Sequence, residues 1–462
     1  MFGKGLNMLI DRMGATVRSA TRDAFQPSVP ELRARGTGLE AALKYLSPKR
    51  KAHGPGLDGW YPYYAGFSYE FVAAILPELI DKSRAKLRAV VLDPWAGSGT
   101  TTAAALHLGY TSLGFDLNPA VVPIANAKLA TAGELDSLTG LLETCLGATR
   151  AVVRAGIGAD PGALQHWLPP TAAKFSRASI EWLCAHDGVS ATHELTPGTA
   201  LAALCVLYGV REYAIDRKRS NASWVSPNPS LPRLRIDSLM KAILGHAQTI
   251  IANRPPCPLS RSSCCRVHVG DARALSVPST SVDLVFSSPP YCTRVDYVRQ
   301  TGFELAALAG LTHATSRELR HTLMGTTTIR GVELQSAMPL PPGISELLRA
   351  IRTHQSHRSE AYYGRNIRQY FEDAALAVAE FSRVLRPGGK AVLVLQNSYY
   401  KEIEIELSRN YCELGEAVGL RSTVLARNPV RRTMTTINSR SRKYREERTY
   451  TEDVILLERS RQ

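Results

Sequence analysis

The chain has 462 residues, 44% of them hydrophobic, which is enough for one large domain or two of medium size. Its 56 lysines and arginines outnumber 41 acidic residues, and the formal net charge of +15 favours a polyanionic partner. No apolar run reaches the ~20 residues that span a bilayer, so no membrane association is expected. The eight cysteines form no CxxC pair and no histidines cluster at metal-ligand spacing, which predicts reduced thiols and no metal site.

The first element in chain order is a basic N-terminal extension, residues 1–56. Apolar residues between Met8 and Val17 recur at helical spacing, but no signal-peptide core follows them. We expect this extension to pack on the fold or to contact nucleic acid.

The first predicted strand covers residues 87–92, and a glycine-rich turn follows it. The turn spans Asp93 to Thr101 and leads into an alanine-rich helix, an arrangement that lets a backbone approach a bound nucleotide closely. No Gly-Lys-Ser/Thr follows its glycines, which excludes a phosphate loop. A second strand ends at Asp116, about 20 residues further on, where a carboxylate suits a ribose diol. The alternatives are a plain glycine turn and a helix-capping aspartate.

The next region, residues 131–261, shows mostly helical periodicity and is predicted to be an insert that serves in target recognition. It contains a basic cluster, residues 217–224, that runs into amides, hydroxyls and an indole. Phosphate anchoring with base contacts is one interpretation, and an ordinary solvated charge run is the other. Pro256-Cys257 lies in a proline-rich loop and is interpreted as part of that loop.

The tetrapeptide Ser288-Pro289-Pro290-Tyr291 ends a short apolar strand at residues 282–287. Two prolines cannot donate to a strand ladder, so the strand stops there and leaves a hydroxyl, a carbonyl and an aromatic ring at its C-terminal edge. Ligands bind at that edge in open α/β sheets. The Ser288 hydroxyl and the Pro289 carbonyl could accept hydrogen bonds from a planar amine stacked on Tyr291, although a Pro-Pro turn can also be only a turn.

Residues 301–370 form a second candidate surface, because aromatics and arginines interleave there, as in segments that bind a displaced strand. The same aromatics could instead be the buried face of a helix. The C-terminal segment, residues 427–457, predicts a closing hairpin with a basic, DNA-facing loop.

Together these segments resemble the S-adenosylmethionine-dependent DNA amino-methyltransferases, which methylate cytosine N4 or adenine N6. Asp93 to Thr101 is similar to the family's cofactor motif, with Trp95 in place of the usual Phe. Residues 116–119, 270–273 and 288–291 resemble the ribose-binding, adenine-contacting and catalytic segments. Residues 61–67 resemble the aromatic motif that closes over the methionine part of the cofactor, and residues 385–395 resemble the turn and strand after the catalytic helix.

The resemblance implies a Rossmann-like α/β fold, with a mostly parallel seven-stranded sheet and a helical insert. The cofactor-binding half covers residues 57–130 and the catalytic half covers residues 262–462. The implied cofactor is S-adenosylmethionine, bound by Phe67, Asp93, Trp95, Gly97, Gly99, Thr100, Asp116, Asp271 and Ala272. The implied catalytic residues are Ser288, Pro289, Pro290 and Tyr291. Contacts to double-stranded DNA are expected from Arg219, Asn221, Arg294, Arg431, Arg432 and Arg440.

Ser at position 288 is typical of cytosine-N4 enzymes, which makes a site-specific cytosine-N4 DNA methyltransferase the leading prediction. An adenine-N6 enzyme, an RNA methyltransferase on the same fold, and an inactive nucleic-acid-binding relative are the alternatives. A cytoplasmic, prokaryotic setting at the nucleoid is expected, with a restriction or defence protein as a further partner.

Overall fold

The computed structural model describes residues 38–48, 56–63, 66, 68–81, 89–157, 160–221, 224–229, 234–254, 265–292, 296–312, 315–326, 328–330, 339–357, 359–430 and 449–461. Its helices are α1 (Gly38–Tyr45), α2 (Tyr69–Leu79), α3 (Thr100–Leu108), α4 (Val122–Ala127), α5 (Ala132–Arg154), α6 (Pro170–Asp187), α7 (Pro197–Ala214), α8 (Ile236–Ala252), α9 (Tyr297–Gln300), α10 (Gly302–Ala307), α11 (Ser316–Thr322), α12 (Pro342–Thr353), α13 (Arg365–Val384) and α14 (Leu407–Ala417). Its strands are β1 (Val90–Asp93), β2 (Thr111–Asp116), β3 (Cys265–Val269), β4 (Val282–Ser287), β5 (Leu385–Gln396), β6 (Ser398–Tyr400), β7 (Ile403–Ile405), β8 (Leu420–Pro429) and β9 (Thr451–Arg459).

A seven-stranded sheet in the order β3-β2-β1-β4-β5-β9-β8 forms the centre of the protein. The first five strands are mutually parallel, and β9 is antiparallel to both β5 and β8. The fold class expected from the sequence, a Rossmann-like and mostly parallel sheet, is therefore confirmed. Because parallel strands end on one side, the carboxyl ends of β1, β2 and β4 meet at the same sheet edge.

Alternating side chains of the strands pack on two different helical layers. Leu92, Val285 and Leu393 belong to a buried cluster that includes the apolar face of α13. Their neighbours Val91 and Leu284 point to the other side, where they share a cluster with residues of α2. Both faces of the central strands are thus removed from water, as is usual in parallel sheets.

The helices α5 to α8 pack as a layer that continues the main core. A capping box starts α5: the Thr131 hydroxyl accepts from the Glu134 amide, and Glu134 accepts from the Thr131 amide at 2.6 Å. The same carboxylate accepts from the Gly198 amide in the first turn of α7, a position favoured by the helix dipole. Residues of these helices share one cluster with Ile124 of α4, so this layer and the sheet domain are joined by apolar packing.

The predicted domain boundaries stay a prediction, although α5 to α8 fall inside the range 131–261. Of the N-terminal extension, only residues 38–48 and 56 are described, and the amphipathic pattern from Met8 to Val17 lies outside the described residues. None of the helices in the described segments is long and apolar enough to cross a bilayer.

Candidate active site

A cavity of about 900 Å³, open to solvent, lies at the carboxyl ends of β1, β2 and β4. The segments that line it include the glycine-rich turn, the end of β2, the turn after β3 and the tetrapeptide after β4. The lining residues include Trp95, Gly97, Thr100, Asp116, Asp271, Ala272, Ser288, Pro289, Pro290 and Tyr291.

The glycine-rich turn needs glycine at two positions. Gly97 has φ +48°, and a Cβ there would lie 3.0 Å from the ring of Tyr63. Gly99 caps α3 with φ +76°, and a Cβ there would lie 2.8 Å from the Cβ of Ala125. The turn therefore approaches both an aromatic wall of the cavity and helix α4 more closely than a side chain permits.

Asp116 holds this turn and the next one together. Its carboxylate accepts from the Gly97 amide at 2.9 Å and from the Asn118 amide at 2.8 Å. Each carboxylate oxygen has a further lone pair, so Asp116 can still accept from a hydroxyl in the cavity. Surrounding protein atoms bury the carboxyl and raise its pKa to about 6.

Asp93 plays a supporting part, because it is fully buried behind the cavity wall. Its carboxylate accepts from the Ser287 hydroxyl at 2.5 Å and from the Trp95 amide at 3.2 Å. Burial raises its pKa to about 6, against the opposing effect of these hydrogen bonds. Asp93 thus connects the end of β1 to the last residue of β4.

Asp271 is engaged by Arg273, whose guanidinium lies 2.9 Å and 2.7 Å from its two carboxylate oxygens. Arg273 also donates to Asp373 of α13 at 2.7 Å and to the Thr322 carbonyl at 2.8 Å. Asp373 is fully buried and receives a second arginine, Arg330. This arrangement ties the turn after β3 to α13 and to the end of α11, next to the buried cavity residue Ala272.

The tetrapeptide presents acceptors to the cavity. The Ser288 hydroxyl donates to the Val394 carbonyl of β5 at 3.0 Å, so the oxygen offers lone pairs to a ligand. The Pro290 carbonyl accepts from the Tyr370 hydroxyl at 2.8 Å. Among the hydrogen bonds of the described residues, none uses the Pro289 carbonyl. Ser288 and Pro289 both line this end of the cavity, and both oxygens retain lone pairs.

Tyr291 is half-buried at the cavity wall, and its backbone amide donates to the Tyr297 hydroxyl at 3.2 Å. Gly325 packs against it with φ +72°, where a Cβ would lie 3.1 Å from the Tyr291 carbonyl. The segment after α11 is thus in direct contact with the tetrapeptide. Its residues Leu323 and Met324 line the cavity beside Tyr291.

Trp95 and Thr100 occupy opposite ends of the glycine-rich turn. Trp95 is half-buried, and its ring meets the ring of Phe381 edge-on at 5.7 Å. Thr100 is the first residue of α3 and is buried. Both residues line the cavity, whereas Gly99 supports it from behind and Phe67 lies outside the described residues.

The expected DNA-contacting residues are only partly described. Arg219 is exposed on the turn after α7, and Asn221 forms the closing bridge of that turn with Trp224. Arg294, Arg431, Arg432 and Arg440 lie outside the described residues. No group of metal-ligating side chains occurs within the described segments.

Three further residues contact or line the site without an expected role from the sequence: Arg273, Tyr297 and Tyr370. Arg273 lies within the segment 270–273, and Tyr297 lies shortly after the tetrapeptide. Only this proximity to the motifs pointed to the two residues in the sequence. Tyr370 is 80 residues from Pro290, and its helix pattern indicates only a buried face.

Comparison with known proteins finds methyltransferases that resemble this chain. A family model described as DNA methylase matches residues 40–127. The type II methyltransferase M.AvaI of Nostoc sp. is 27% identical over 147 residues, which is 30% of this chain and 30% of that protein. The type II methyltransferase M.BsoBI of Geobacillus stearothermophilus is 22% identical over 415 residues, 79% of each chain. The match to M.AvaI thus spans less than a third of that relative.

Two solved structures are also similar. The rRNA methyltransferase aviRa from Streptomyces viridochromogenes has a TM-score of 0.26 and 10% identity, with 95% of this chain and 96% of that chain covered. The antibiotic-resistance methyltransferase Kmr has a TM-score of 0.18 and 12% identity, with 47% of this chain and 72% of that chain covered. The sequence matches confirm the resemblance to amino-methyltransferases of the N4/N6 family.

S-adenosylmethionine is the methyl donor of type II methyltransferases, and the cavity fits it. The glycine turn exposes backbone beside an aromatic wall, Asp116 offers lone pairs suited to a ribose diol, and Ala272 supplies an apolar surface. These features suit the nucleoside end of such a cofactor.

Proposed function

We propose that this chain is a DNA methyltransferase that transfers a methyl group from S-adenosylmethionine to the exocyclic amine of a flipped base, with cytosine N4 as the acceptor. One observation carries the proposal: the tetrapeptide and the cofactor-type segments line a single cavity. The alternative acceptor is adenine N6, which presents the same chemical group. RNA is the alternative substrate.

The two acceptors orient the amine. An exocyclic NH₂ is a poor nucleophile because its lone pair is delocalised into the ring. Hydrogen bonds from its two N–H groups to Ser288 Oγ and the Pro289 carbonyl direct the nitrogen and favour the build-up of positive charge on it. Since the Ser288 proton is donated to the Val394 carbonyl, this hydroxyl acts as an acceptor. The leaving proton passes to solvent after transfer.

The remaining residues hold the two reactants. Asp116, the glycine-rich turn and Ala272 would hold the nucleoside part of the cofactor, which supplies an electrophilic methyl sulfonium when bound. Tyr291 stacks on the target base, a contact worth roughly 1–3 kcal/mol. That stacking offsets part of the few kcal/mol needed to take the base out of the duplex. Tyr370 fixes the Pro290 carbonyl and so the course of the tetrapeptide backbone.

The choice of cytosine follows from Ser288 by resemblance, since Ser at this position is typical of cytosine-N4 enzymes. The helices α5 to α8 and the turn after α7 are the proposed target-recognition region. Methyl transfer from labelled cofactor, measured on duplex DNA and on RNA, tests the substrate. Nucleoside analysis of the methylated DNA then identifies the methylated base. N6-methyladenine as the only product would show that the target base is adenine and not cytosine.

Ser288→Ala removes one acceptor and is expected to slow methyl transfer by roughly a hundredfold. The affinity for S-adenosylmethionine, measured by calorimetry, should stay within about twofold of the wild-type value. Ser288 contacts the target base and not the nucleoside part of the cofactor. Ser281 precedes β4 as Ser288 follows it, and its hydroxyl donates to the Pro278 carbonyl on the far side of the sheet. Ser281→Ala is the matched control. Full methyl transfer by Ser288→Ala would contradict the assigned role.

A further inference from the structure

The turn between α7 and residue 227 contacts α9, the short helix that also carries the cavity residue Tyr297. Its ends are joined by the Ile215–Pro227 bridge and by the Asp216 amide, which donates to the Ser226 carbonyl at 2.9 Å. The Lys218 amide donates to the Asp216 carboxylate at 2.9 Å. These bonds hold the described residues of the turn, 215–221 and 224–227, in a defined arrangement.

Trp224 is held on this turn with its ring in solvent. Its backbone amide donates to the Asn221 side chain at 3.1 Å, and its indole N–H donates to the Arg219 carbonyl at 3.0 Å. Even so, 41% of its surface is exposed, which is unusual for the largest apolar side chain. The indole N–H is already bonded, so the surface that remains is an aromatic face.

Arg299 connects this ring to the active site. Its guanidinium lies 5.3 Å from the centre of the Trp224 ring, and its carbonyl accepts from the Val225 amide at 3.3 Å. Arg299 belongs to α9, the same short helix as Tyr297, whose hydroxyl accepts from the Tyr291 amide. The exposed indole is therefore coupled through one helical turn to the catalytic tetrapeptide.

The charge around the ring suits a nucleic acid. Arg217, Lys218, Arg219 and Arg299 are all exposed, and only Glu212 and Asp216 pair with them among the described residues. A rigid aromatic face bordered by cations is the combination that binds an unpaired base and its phosphates. A solvated charge run would not need an indole that is held by both its N–H and its ring face.

We propose that Trp224, with Arg299 behind it, stacks on the base left unpaired when the target base leaves the duplex, while Arg217 and its neighbours contact the DNA backbone. This inference rests on the proposed function, since a flipped target base is what creates the unpaired partner. Such stacking replaces contacts that the departing base removes and so lowers the cost of flipping.

The test uses the full chain and two DNA duplexes of one sequence, matched or with an abasic site opposite a purine. The abasic duplex already contains an unpaired base. Trp224→Ala is expected to weaken binding to the abasic duplex roughly tenfold, and to the matched duplex by less than about threefold. Trp224→Phe should restore most of the affinity. Equal binding by wild type and Trp224→Ala, or an equal loss on both duplexes, would overturn the proposal.

The backbone contact has its own measurement. Arg217→Gln should lower the slope of log affinity against log salt concentration by about 1, because one phosphate contact is lost. Arg349→Gln is the matched control, since Arg349 is equally exposed and pairs with one exposed acid, as Arg217 does. An unchanged slope for Arg217→Gln would contradict a contact between Arg217 and a DNA phosphate.

Methyl transfer measured beside binding separates the two proposals. If wild type methylates DNA and Trp224→Ala binds and methylates like wild type, the stacking inference alone fails. If wild type transfers no methyl group to DNA, the proposed function fails, whatever the Trp224 variants do. Tighter binding to single-stranded RNA than to either duplex would overturn the assignment of this surface to DNA.

Discussion

At the scale of single residues, the sequence predicted Ser288 as a hydrogen-bond acceptor for the target amine, but it did not predict how the Ser288 hydroxyl is held. A hydroxyl next to a Pro-Pro turn at the end of β4 indicated an acceptor at Ser288. The direction of its proton depends on the Val394 carbonyl, 106 residues away on β5. Only the pairing of β4 with β5 brings these two atoms together, and no local pattern contains that information.

Asp116 gives a prediction for pH. Its pKa is raised to about 6, so the carboxyl takes up a proton as the pH falls through 6 and loses acceptor capacity. We expect the affinity for S-adenosylmethionine, measured by calorimetry, to fall between pH 7 and pH 5. The stability of the free protein should instead rise over the same fall in pH, because the folded state binds this proton at a higher pH than the unfolded state does.

The variant Asp116→Asn isolates the effect, because its side chain is neutral at every pH. It loses one of the hydrogen bonds to Gly97 and Asn118, which lowers stability by an amount independent of pH. The difference in melting temperature between wild type and Asp116→Asn should therefore grow as the pH falls from 7 to 5. A constant difference, together with a pH-independent cofactor affinity in wild type, would show that Asp116 does not titrate between pH 7 and pH 5.

At the scale of elements, local patterns predicted the strand, turn and helix around the glycine-rich turn, because β1 and α3 follow directly from apolar periodicity. The short helices α9 to α11 could not be predicted from local patterns. They are held by distant partners, such as the Asn118 side chain that donates to Thr301 between α9 and α10 at 2.8 Å. Likewise, Arg273 orders the end of α11 through the Thr322 carbonyl. Such elements depend on tertiary contacts rather than on their own propensity.

Two glycines of α3 offer a matched pair of variants. Gly99 caps the start of the helix and Gly109 caps its end, both with positive φ, +76° and +80°. A Cβ at Gly109 meets nothing within 4 Å, whereas one at Gly99 lies 2.8 Å from Ala125. Gly109→Ala should cost about 1–2 kcal/mol of unfolding free energy, from backbone strain alone.

Gly99→Ala should cost more, by a further 1–3 kcal/mol or so, because α3 and α4 must separate. Urea denaturation measures both values. Gly99→Ala should also weaken cofactor binding, since the turn lines the cavity on its other side, and Gly109→Ala should leave it unchanged. Equal stability losses for the two variants would mean that the contact with α4 adds nothing.

At the scale of the whole molecule, the helical layer was predicted from periodicity, but its attachment to the sheet was not. Glu304 of α10 is 2% exposed and accepts from the Tyr61 hydroxyl at 2.6 Å and from Arg211 of α7 at 2.8 Å. Three parts of the chain thus meet at one carboxylate. Tyr61 is in turn bonded through its carbonyl to the Tyr63 amide, and Tyr63 forms a wall of the cavity.

Glu304→Ala should therefore destabilise the whole protein. It leaves the Arg211 guanidinium largely buried without its carboxylate, and breaking such a pair costs about 3–5 kcal/mol. Because the helical layer and the residues around α4 share one apolar cluster, unfolding in urea should remain a single transition at a lower midpoint. Cofactor affinity should fall as well, since the Tyr61 hydroxyl loses its partner and the Tyr61 carbonyl holds the amide of Tyr63 at the cavity wall.

Glu346 is the matched control, an exposed acid paired with Arg349 on α12, and Glu346→Ala should change the unfolding free energy by less than about 1 kcal/mol. Tyr61→Phe separates the hydrogen bond from the charge, and about 1 kcal/mol is expected for it. Two separate transitions in Glu304→Ala would show that the helical layer folds independently of the sheet. In that case Glu304 would join two units that are each stable without the other.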